Sequence, residues 1–149
     1  MKKVILLVED NPSDEKLTLL AFRNSGVSNE IVVVRDGAAA LDYLFSTGEY
    51  ASAALVALPA LVLLDLKLPK LDGLEVLRRI RANDLTKLLP IVILTSSKED
   101  EDVLRSYSLG ANAYVRKPVD FSEFAQAVKT LGLFWLLLNE AAPPARVAP

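Results

Sequence analysis

Short apolar runs alternate along this chain with longer segments in which apolar residues recur at helical spacing. Each run is rich in Val, Ile or Leu, or carries an aromatic residue, as is typical of strands that are buried in a sheet. The runs cover residues 4–8, 31–34, 61–65, 89–94 and 113–115. The pattern therefore predicts five strands, each followed by a helix.

Helix-start signals lie between the predicted strands. Asn11 before a proline predicts an N-cap, and Leu17, Leu20 and Ala21 follow at helical spacing. Gly26 suits the position just after that helix. Further helices are predicted over residues 38–45, 74–81, 98–108 and 121–138.

Five strands that alternate with five helices predict an α/β domain, in which right-handed crossovers cover both faces of a parallel sheet. We assign residues 1–138 to this domain and residues 139–149, which are rich in Ala and Pro, to a flexible tail. Residues 46–59 are less regular, and they predict a loop that carries an extra short helix over residues 51–58.

The composition narrows the possible chemistry. The 149 residues include no Cys and no His, which excludes disulfides, thiolate metal sites and imidazole catalysis. A net charge of −2 does not indicate a basic surface that would bind nucleic acid or an anionic membrane. The apolar start of the chain is too short for a signal peptide and no segment predicts a membrane span, so we expect a cytoplasmic protein.

Polar side chains follow four of the predicted strands at the point where each strand ends. They are Glu9, Asp10, Asp65, Thr95 and Lys117. Because parallel strands end at one shared edge, these side chains should converge there. Three carboxylates repel one another unless a divalent cation lies between them, and Mg²⁺ is favoured where all ligands are oxygens. The alternative is that each acid only caps its own helix.

Other classes of site are excluded by missing motifs. The chain has no G-x-x-x-x-G-K-[ST] phosphate loop and no G-x-G-x-x-G dinucleotide fingerprint. An Asp nucleophile with a metal remains, which leads to an aspartyl-phosphate. Haloacid-type phosphatases need a second Asp two residues after the first, and here that position is Lys67.

The chain resembles a response-regulator receiver domain over about residues 3–138. The motifs that carry the resemblance are Val8-Glu9-Asp10-Asn11, Leu63-Leu64-Asp65 with Pro69, Asp72 and Gly73, Leu94-Thr95-Ser96, and Tyr114-Val115-Arg116-Lys117-Pro118. The resemblance implies a flavodoxin-like (βα)5 fold with strand order 2-1-3-4-5. It also implies a role in two-component signalling rather than an enzyme with a separate substrate.

The same resemblance implies a phosphorylation site at Asp65. A sensor histidine kinase would supply the phosphoryl group, and the domain would catalyse its own Mg²⁺-dependent phosphorylation and dephosphorylation. Asp10, Asp65 and the backbone carbonyl of Lys67 would ligate Mg²⁺, and Glu9 would act through a metal-bound water.

Three further roles follow from the resemblance. Lys117 would pair with the phosphoryl oxygens, and Thr95 would hydrogen-bond one of them. Tyr114 would be the aromatic switch, whose ring turns inward when Thr95 moves. The peptide bond between Lys117 and Pro118 would be cis.

A narrower resemblance points to the single-domain regulators that are paired with cyanobacterial and bacterial phytochromes. It rests on the long segment 46–59, on Thr95-Ser96-Ser97 and on the sequence Leu-Phe-Trp-Leu-Leu over 133–137. The implied kinase is a red/far-red photoreceptor.

The few residues after 138 are too short for an output domain, so output is expected through a partner. The alternative is an interaction module that works without phosphorylation, or a phosphate sink.

The last predicted helix loses its amphipathic pattern near its end. Residues 133–138 are all apolar, whereas a terminal surface helix can bury only one side against its own domain. An exposed apolar patch usually marks a partner site, and a two-fold homodimer is the commonest way to bury one. We therefore predict a homodimer with Phe134, Trp135 and Leu137 at the interface. The alternative is that the tail folds back over this surface.

Overall fold

A parallel five-stranded sheet forms the centre of the molecule. The computed structural model describes residues 3–25, 29–50, 58–97, 99–117, 120–138, 140 and 142, without the side chains at 49, 121, 137 and 138. The strands are β1 (Val4–Val8), β2 (Glu30–Val34), β3 (Leu61–Leu64), β4 (Ile91–Thr95) and β5 (Ala113–Arg116). They lie in the order β2-β1-β3-β4-β5, and every neighbouring pair is parallel. The predicted fold class and strand order are therefore confirmed.

The strand register brings the ends of β1, β3 and β4 to one edge. Val8 at the end of β1 is paired with Val34 on one side and with Leu64 on the other. Leu64 is in turn paired with Ile93 of β4. The residues that follow β1 and β3 consequently leave the sheet side by side, and β4 reaches Thr95 at the same edge.

Five helices connect the strands. They are α1 (Pro12–Asn24), α2 (Gly37–Phe45), α3 (Gly73–Ala82), α4 (Asp100–Ser108) and α5 (Phe121–Gly132). The sequence predicts N-caps at Asn11 and also at Asp72 and Asp120, each of which precedes a predicted helix. All three are confirmed, because their side chains accept hydrogen bonds from backbone amides of the first turn. None of the described helices is both long and apolar enough to cross a membrane.

The core has two halves, one on each face of the sheet. Alternate residues of a strand point to opposite faces, so Leu6 and Val8 of β1 enter one half while Ile5 and Leu7 enter the other. Helices α2 and α3 cover the first half, and α1 and α5 cover the second. Because each central strand is buried on both faces, it reads as a continuous apolar run, which is the pattern that predicted it.

The buried face of α1 differs from the prediction. Leu17 and Leu20 are 37% and 39% exposed, whereas Thr18, Ala21 and Phe22 are buried. The hydroxyl of Thr18 donates to the backbone carbonyl of Asp14 at 2.8 Å, so this polar side chain can be buried without losing its hydrogen bond. The face of α1 that packs on the sheet is therefore shifted by one residue from the face that Leu17 and Leu20 would form.

The end of the last helix also differs from the predicted uninterrupted helix. The α-helix stops at Gly132, and residues Leu133–Leu138 form a π-helix. The wider turn brings Leu136 into the core, where it is 3% exposed, and leaves Phe134 outside. The backbone carbonyl of Leu136 accepts a hydrogen bond from the Lys3 ammonium at 2.8 Å, which ties the π-helix to the residue that precedes β1.

Several predicted boundaries shift or fall outside the described residues. Strand β4 begins at Ile91 rather than at 89, and α4 begins at Asp100 rather than at 98. In segment 46–59 the structure shows a 3-10 turn at Gly48–Tyr50. The predicted helix over 51–58, the helix end at Gly26, the bond to Pro118 and most of the tail 139–149 lie outside the described part of the chain.

Candidate functional site

Three carboxylates meet at the edge of the sheet where β1 and β3 end. Glu9 and Asp10 directly follow β1, and Asp65 directly follows β3. One carboxylate oxygen from each lies within 4.8 Å of the others. Two backbone hydrogen bonds fix this arrangement, because the Glu9 amide donates to Val34 at 3.0 Å and the Asp65 amide donates to Val8 at 3.1 Å. The convergence predicted from the strand ends is therefore present.

The Lys117 ammonium lies among these carboxylates. Its Nζ donates to Glu9 Oε1 at 2.5 Å, to Asp14 Oδ2 at 2.8 Å and to Asp65 Oδ2 at 2.9 Å. The Lys117 side chain is only 8% exposed. An ammonium has three N–H donors, and here each one is used by a carboxylate. The Lys117 amide donates to the carbonyl of Thr95 at 2.8 Å, which continues the pairing of β4 and β5 up to this residue.

The pKa values in this cluster are shifted in opposite directions. Burial raises the pKa of Glu9 to about 7, even though its contact with Lys117 acts the other way. Burial also acts to raise the pKa of Asp65, but the charge and hydrogen bond of Lys117 outweigh it and hold this pKa below its usual value. Burial acts to lower the pKa of Lys117, and the carboxylates of Asp14, Glu9 and Asp65 raise it instead. Asp65 is consequently an ionised carboxylate at neutral pH, as a nucleophile must be.

The loop after Asp65 is fixed by a close backbone approach at Gly73. A Cβ at this position would lie 2.3 Å from the carbonyl oxygen of Asp65 and 2.7 Å from the Cα of Leu66. The Gly73 amide donates to the carbonyl of Leu66 at 2.8 Å. The start of α3 is therefore held against the backbone beside Asp65, which requires glycine.

Lys67 lies in this loop beside the Asp65 carboxylate. Its amide is 3.4 Å from Asp65 Oδ1, and its side chain is exposed. The role of its carbonyl as a metal ligand stays a prediction. The donor set of Glu9, Asp10 and Asp65 fits a hard divalent cation, since it offers only carboxylate oxygens and Asp10 is open to solvent.

Thr95 and Tyr114 are connected through the backbone of Ser97. Thr95 is fully buried at the end of β4, and its hydroxyl acts to lower the pKa of Asp65. The Ser97 amide donates to Thr95 Oγ1 at 3.4 Å, and the Tyr114 hydroxyl donates to the Ser97 carbonyl at 3.2 Å. The Ser97 hydroxyl donates to Asp102 of α4 at 2.6 Å. A path of hydrogen bonds thus joins Thr95 to α4, whereas the switch role of Thr95 and Tyr114 stays a prediction.

The residues predicted for the dimer interface lie in the π-helix Leu133–Leu138 and not in the carboxylate cluster. Phe134 is 46% exposed, and its ring meets the ring of Trp135 edge to face at 5.0 Å. Trp135 is half-buried and packs against the core half covered by α1 and α5. The side chain of Leu137 lies outside the described part of the chain.

Sequence reasoning missed Asp14. This residue lies in the first turn of α1, where an acidic residue is ordinary because it interacts favourably with the helix dipole. Its position one helical turn after Asp10 was the available signal. The structure shows that its side chain reaches over the site to Lys117 instead of facing solvent alone.

Residues 5–129 match the family model of the response regulator receiver domain. Over 143 residues the chain is 42% identical to the probable methanogenesis regulatory protein FilR2 of Methanothrix harundinacea, covering 95% of this chain and 89% of FilR2. Over 134 residues it is 41% identical to response regulator Rcp1 of Synechocystis sp., covering 90% of this chain and 89% of Rcp1.

Solved structures show the same similarity. The phosphorylated cyanobacterial phytochrome response regulator RcpA aligns with a TM-score of 0.88 at 43% identity, covering 96% of this chain and 100% of RcpA. The Mn²⁺-bound form of Rcp1 aligns with a TM-score of 0.86 at 39% identity, covering 95% of this chain and 99% of Rcp1. The bacteriophytochrome response regulator AtBRR is 54% identical with a TM-score of 0.75, covering 94% of this chain and 99% of AtBRR.

Proposed function

Because this chain belongs to the response regulator receiver domain family, we propose that Asp65 accepts a phosphoryl group from a sensor histidine kinase. One observation carries the proposal: the Asp65 carboxylate accepts a hydrogen bond from the Lys117 ammonium at 2.9 Å and lies in one cluster with the carboxylates of Glu9 and Asp10. A metal held by this cluster and the ammonium beside Asp65 would together stabilise the charge that develops on the transferred oxygens.

The same proposal extends to the other site residues, with the roles that the receiver family implies. Lys117 pairs with the phosphoryl oxygens, and Thr95 donates its hydroxyl to one of them. The Tyr114 ring turns inward when Thr95 moves. NMR spectra of the Tyr114 ring with and without beryllofluoride, a phosphoryl mimic, test this coupling. Identical Tyr114 spectra in both states would remove the switch role.

Receiver domains accept phosphoryl groups with the help of a divalent metal, and we propose that this chain uses Mg²⁺. The ligands would be Asp10, Asp65 and the carbonyl of Lys67, with Glu9 acting through a bound water. Bound there, the ion would neutralise the acidic cluster and polarise the transferred phosphoryl group. The all-oxygen donor set supports the proposal, as does the Mn²⁺-bound structure of Rcp1.

Replacing Asp10 tests the metal site. Asp10→Ala should weaken Mg²⁺ binding at least about tenfold, because a direct ligand is lost from a site that offers few of them. Isothermal calorimetry of the two proteins measures the change. Asp36→Ala is the matched control, since Asp36 is an acidic N-cap at the next strand end of the sheet, and it pairs with Lys70 instead. Equal Mg²⁺ affinity in Asp10→Ala and the unmodified chain would remove Asp10 from the ligand set.

We propose a phytochrome as the kinase and the cytoplasm as the place of reaction. The phytochrome response regulator RcpA and the bacteriophytochrome response regulator AtBRR are 43% and 54% identical to this chain. FilR2 matches about as well as Rcp1, so overall identity alone does not select the kinase. Phosphoryl transfer from an autophosphorylated bacterial phytochrome, compared with transfer from a histidine kinase without a chromophore, tests the choice. Faster transfer from the second kinase would contradict it.

We also propose a homodimer that buries Phe134 with the neighbouring Trp135 and Leu137. Support comes from the exposure of Phe134 and of Leu133, which is 37% exposed, at the end of a surface helix. Light scattering should give about twice the chain mass of 16.2 kDa for the unmodified protein and one chain mass for Phe134→Glu.

A matched control separates the predicted interface from a general loss of apolar surface. Leu85 is 57% exposed in the segment between α3 and β4, and Leu85→Glu should leave the dimer intact. The dimer proposal fails when the unmodified protein is a monomer at micromolar concentration with and without beryllofluoride.

A further inference from the structure

Three carboxylates share the Lys117 ammonium, and one of them is unexpected. Glu9 and Asp65 belong to the strand ends, but Asp14 reaches the ammonium from the first turn of α1 at 2.8 Å. The Asp14 amide donates to the side chain of the N-cap Asn11 at 3.1 Å, which fixes the backbone below the carboxylate. A lysine that must serve a phosphoryl group is thus already fully bonded before that group arrives.

Any phosphoryl oxygen that binds Lys117 has to replace one of these carboxylate oxygens, because the three N–H donors are all in use. The Glu9 side chain is 2% exposed, and its other oxygen accepts a hydrogen bond from the Asn11 amide at 3.3 Å. Asp65 carries the reacting atom itself. The Asp14 side chain is 32% exposed, so water can solvate its carboxylate after Lys117 has left it.

We propose that Asp14 is a positioning residue that holds Lys117 in the unphosphorylated chain and is displaced from Lys117 by the phosphoryl group. The inference rests on the proposed function, since it names the group that competes with the phosphoryl oxygens at the same lysine. Asp14 does not touch the reacting atoms. Because the contact of Asp14 with Lys117 stabilises the unphosphorylated site, it lowers the affinity of the site for a phosphoryl group.

The neighbouring residue Glu15 separates this role from an ordinary effect of acidic residues at a helix start. Glu15 lies in the same turn of α1, carries the same charge and is paired with Arg35 at 3.0 Å instead of with Lys117. Loss of either acid changes the helix dipole interaction similarly. Only the loss of Asp14 frees a donor of Lys117.

The test is a titration with beryllofluoride at saturating Mg²⁺. The intensities of the backbone amide NMR signals of the free and the bound protein give the bound fraction at each concentration. Asp14→Ala should lower the half-saturating concentration about three- to tenfold, the range expected when a partly exposed charged contact no longer competes. Glu15→Ala should stay within about twofold of the unmodified protein. Asp14→Glu should do the same, because glutamate keeps the negative charge and is long enough to contact Lys117. Asp14→Asn should lie between them, because a neutral amide oxygen is a weaker acceptor.

The outcomes distinguish this inference from the proposed function. If the unmodified chain binds beryllofluoride and Asp14→Ala shifts no more than Glu15→Ala, the inference is overturned and the proposed function stands. A higher half-saturating concentration in Asp14→Ala also overturns it, because Asp14 would then support phosphoryl binding. A chain that neither binds beryllofluoride nor takes a phosphoryl group from acetyl phosphate loses the proposed function and the inference together.

Discussion

Asp65→Asn should abolish uptake of a phosphoryl group from acetyl phosphate in the presence of Mg²⁺. The amide oxygen is a poor nucleophile, whereas Lys117 keeps the Asp65 carboxylate ionised and ready to attack. The fold should remain intact, because the change is nearly isosteric and an amide oxygen can still accept from Lys117. Intact mass spectrometry measures phosphoryl uptake, and thermal unfolding measures the fold.

A second acidic residue near the same loop provides the control. Asp72 caps α3 by accepting from the Glu75 amide at 3.1 Å, and it makes none of the contacts around Lys117 that the structure shows. Asp72→Asn keeps a good N-cap and should be phosphorylated like the unmodified chain. A phosphorylated Asp65→Asn protein would mean that the acceptor is another residue.

The location of the site could be predicted from the sequence because of a property of parallel sheets. Strands buried on both faces appear as apolar runs, and their carboxyl ends meet at one edge whatever the connecting segments do. The ends of three runs alone therefore predicted that Glu9, Asp10, Asp65 and Lys117 lie together. In the structure the three carboxylates form one cluster, and Lys117 is bonded to Glu9 and Asp65.

Asp14 could not be found in this way, because it does not follow a strand. Its contact with Lys117 depends on the angle at which α1 leaves β1, and that angle is set by which residues of α1 are buried. The sequence favoured Leu17 and Leu20 for the buried face, but Thr18 and Phe22 occupy it. A threonine that hydrogen-bonds its own helix can be buried, so apolar spacing alone did not identify the stripe.

The end of α5 shows a second limit of sequence patterns. Residues 133–138 are apolar on every side, so helical spacing carried no information about which of them are buried. The π-helix places Leu136 in the core and Phe134 outside. An all-apolar sequence does not reveal where a helix changes to this wider turn. Among the described side chains of this segment, the exposure of Leu133 and Phe134 matches the patch that the sequence predicted, and the dimer stays a proposal.

Lys117→Met should lower the free energy of unfolding in metal-free buffer by about 3 kcal/mol, the cost of removing one partner from a buried ion pair. Methionine fills the space of the lysine chain but leaves Glu9, Asp14 and Asp65 without the cation that they share. Glu9, whose pKa burial already raises to about 7, should take up a proton and so limit the loss. Urea unfolding at neutral pH measures the change.

Added Mg²⁺ should restore part of this loss, because the ion can neutralise the same carboxylates from the Asp10 side. The gain in stability on adding Mg²⁺ should therefore be larger in Lys117→Met than in the unmodified protein. Lys87→Met is the control, since Lys87 is 51% exposed and pairs with Asp84 on the surface, and it should change stability by no more than about 0.5 kcal/mol. If Lys117→Met is as stable as the control without metal, the shared ammonium does not hold this cluster together.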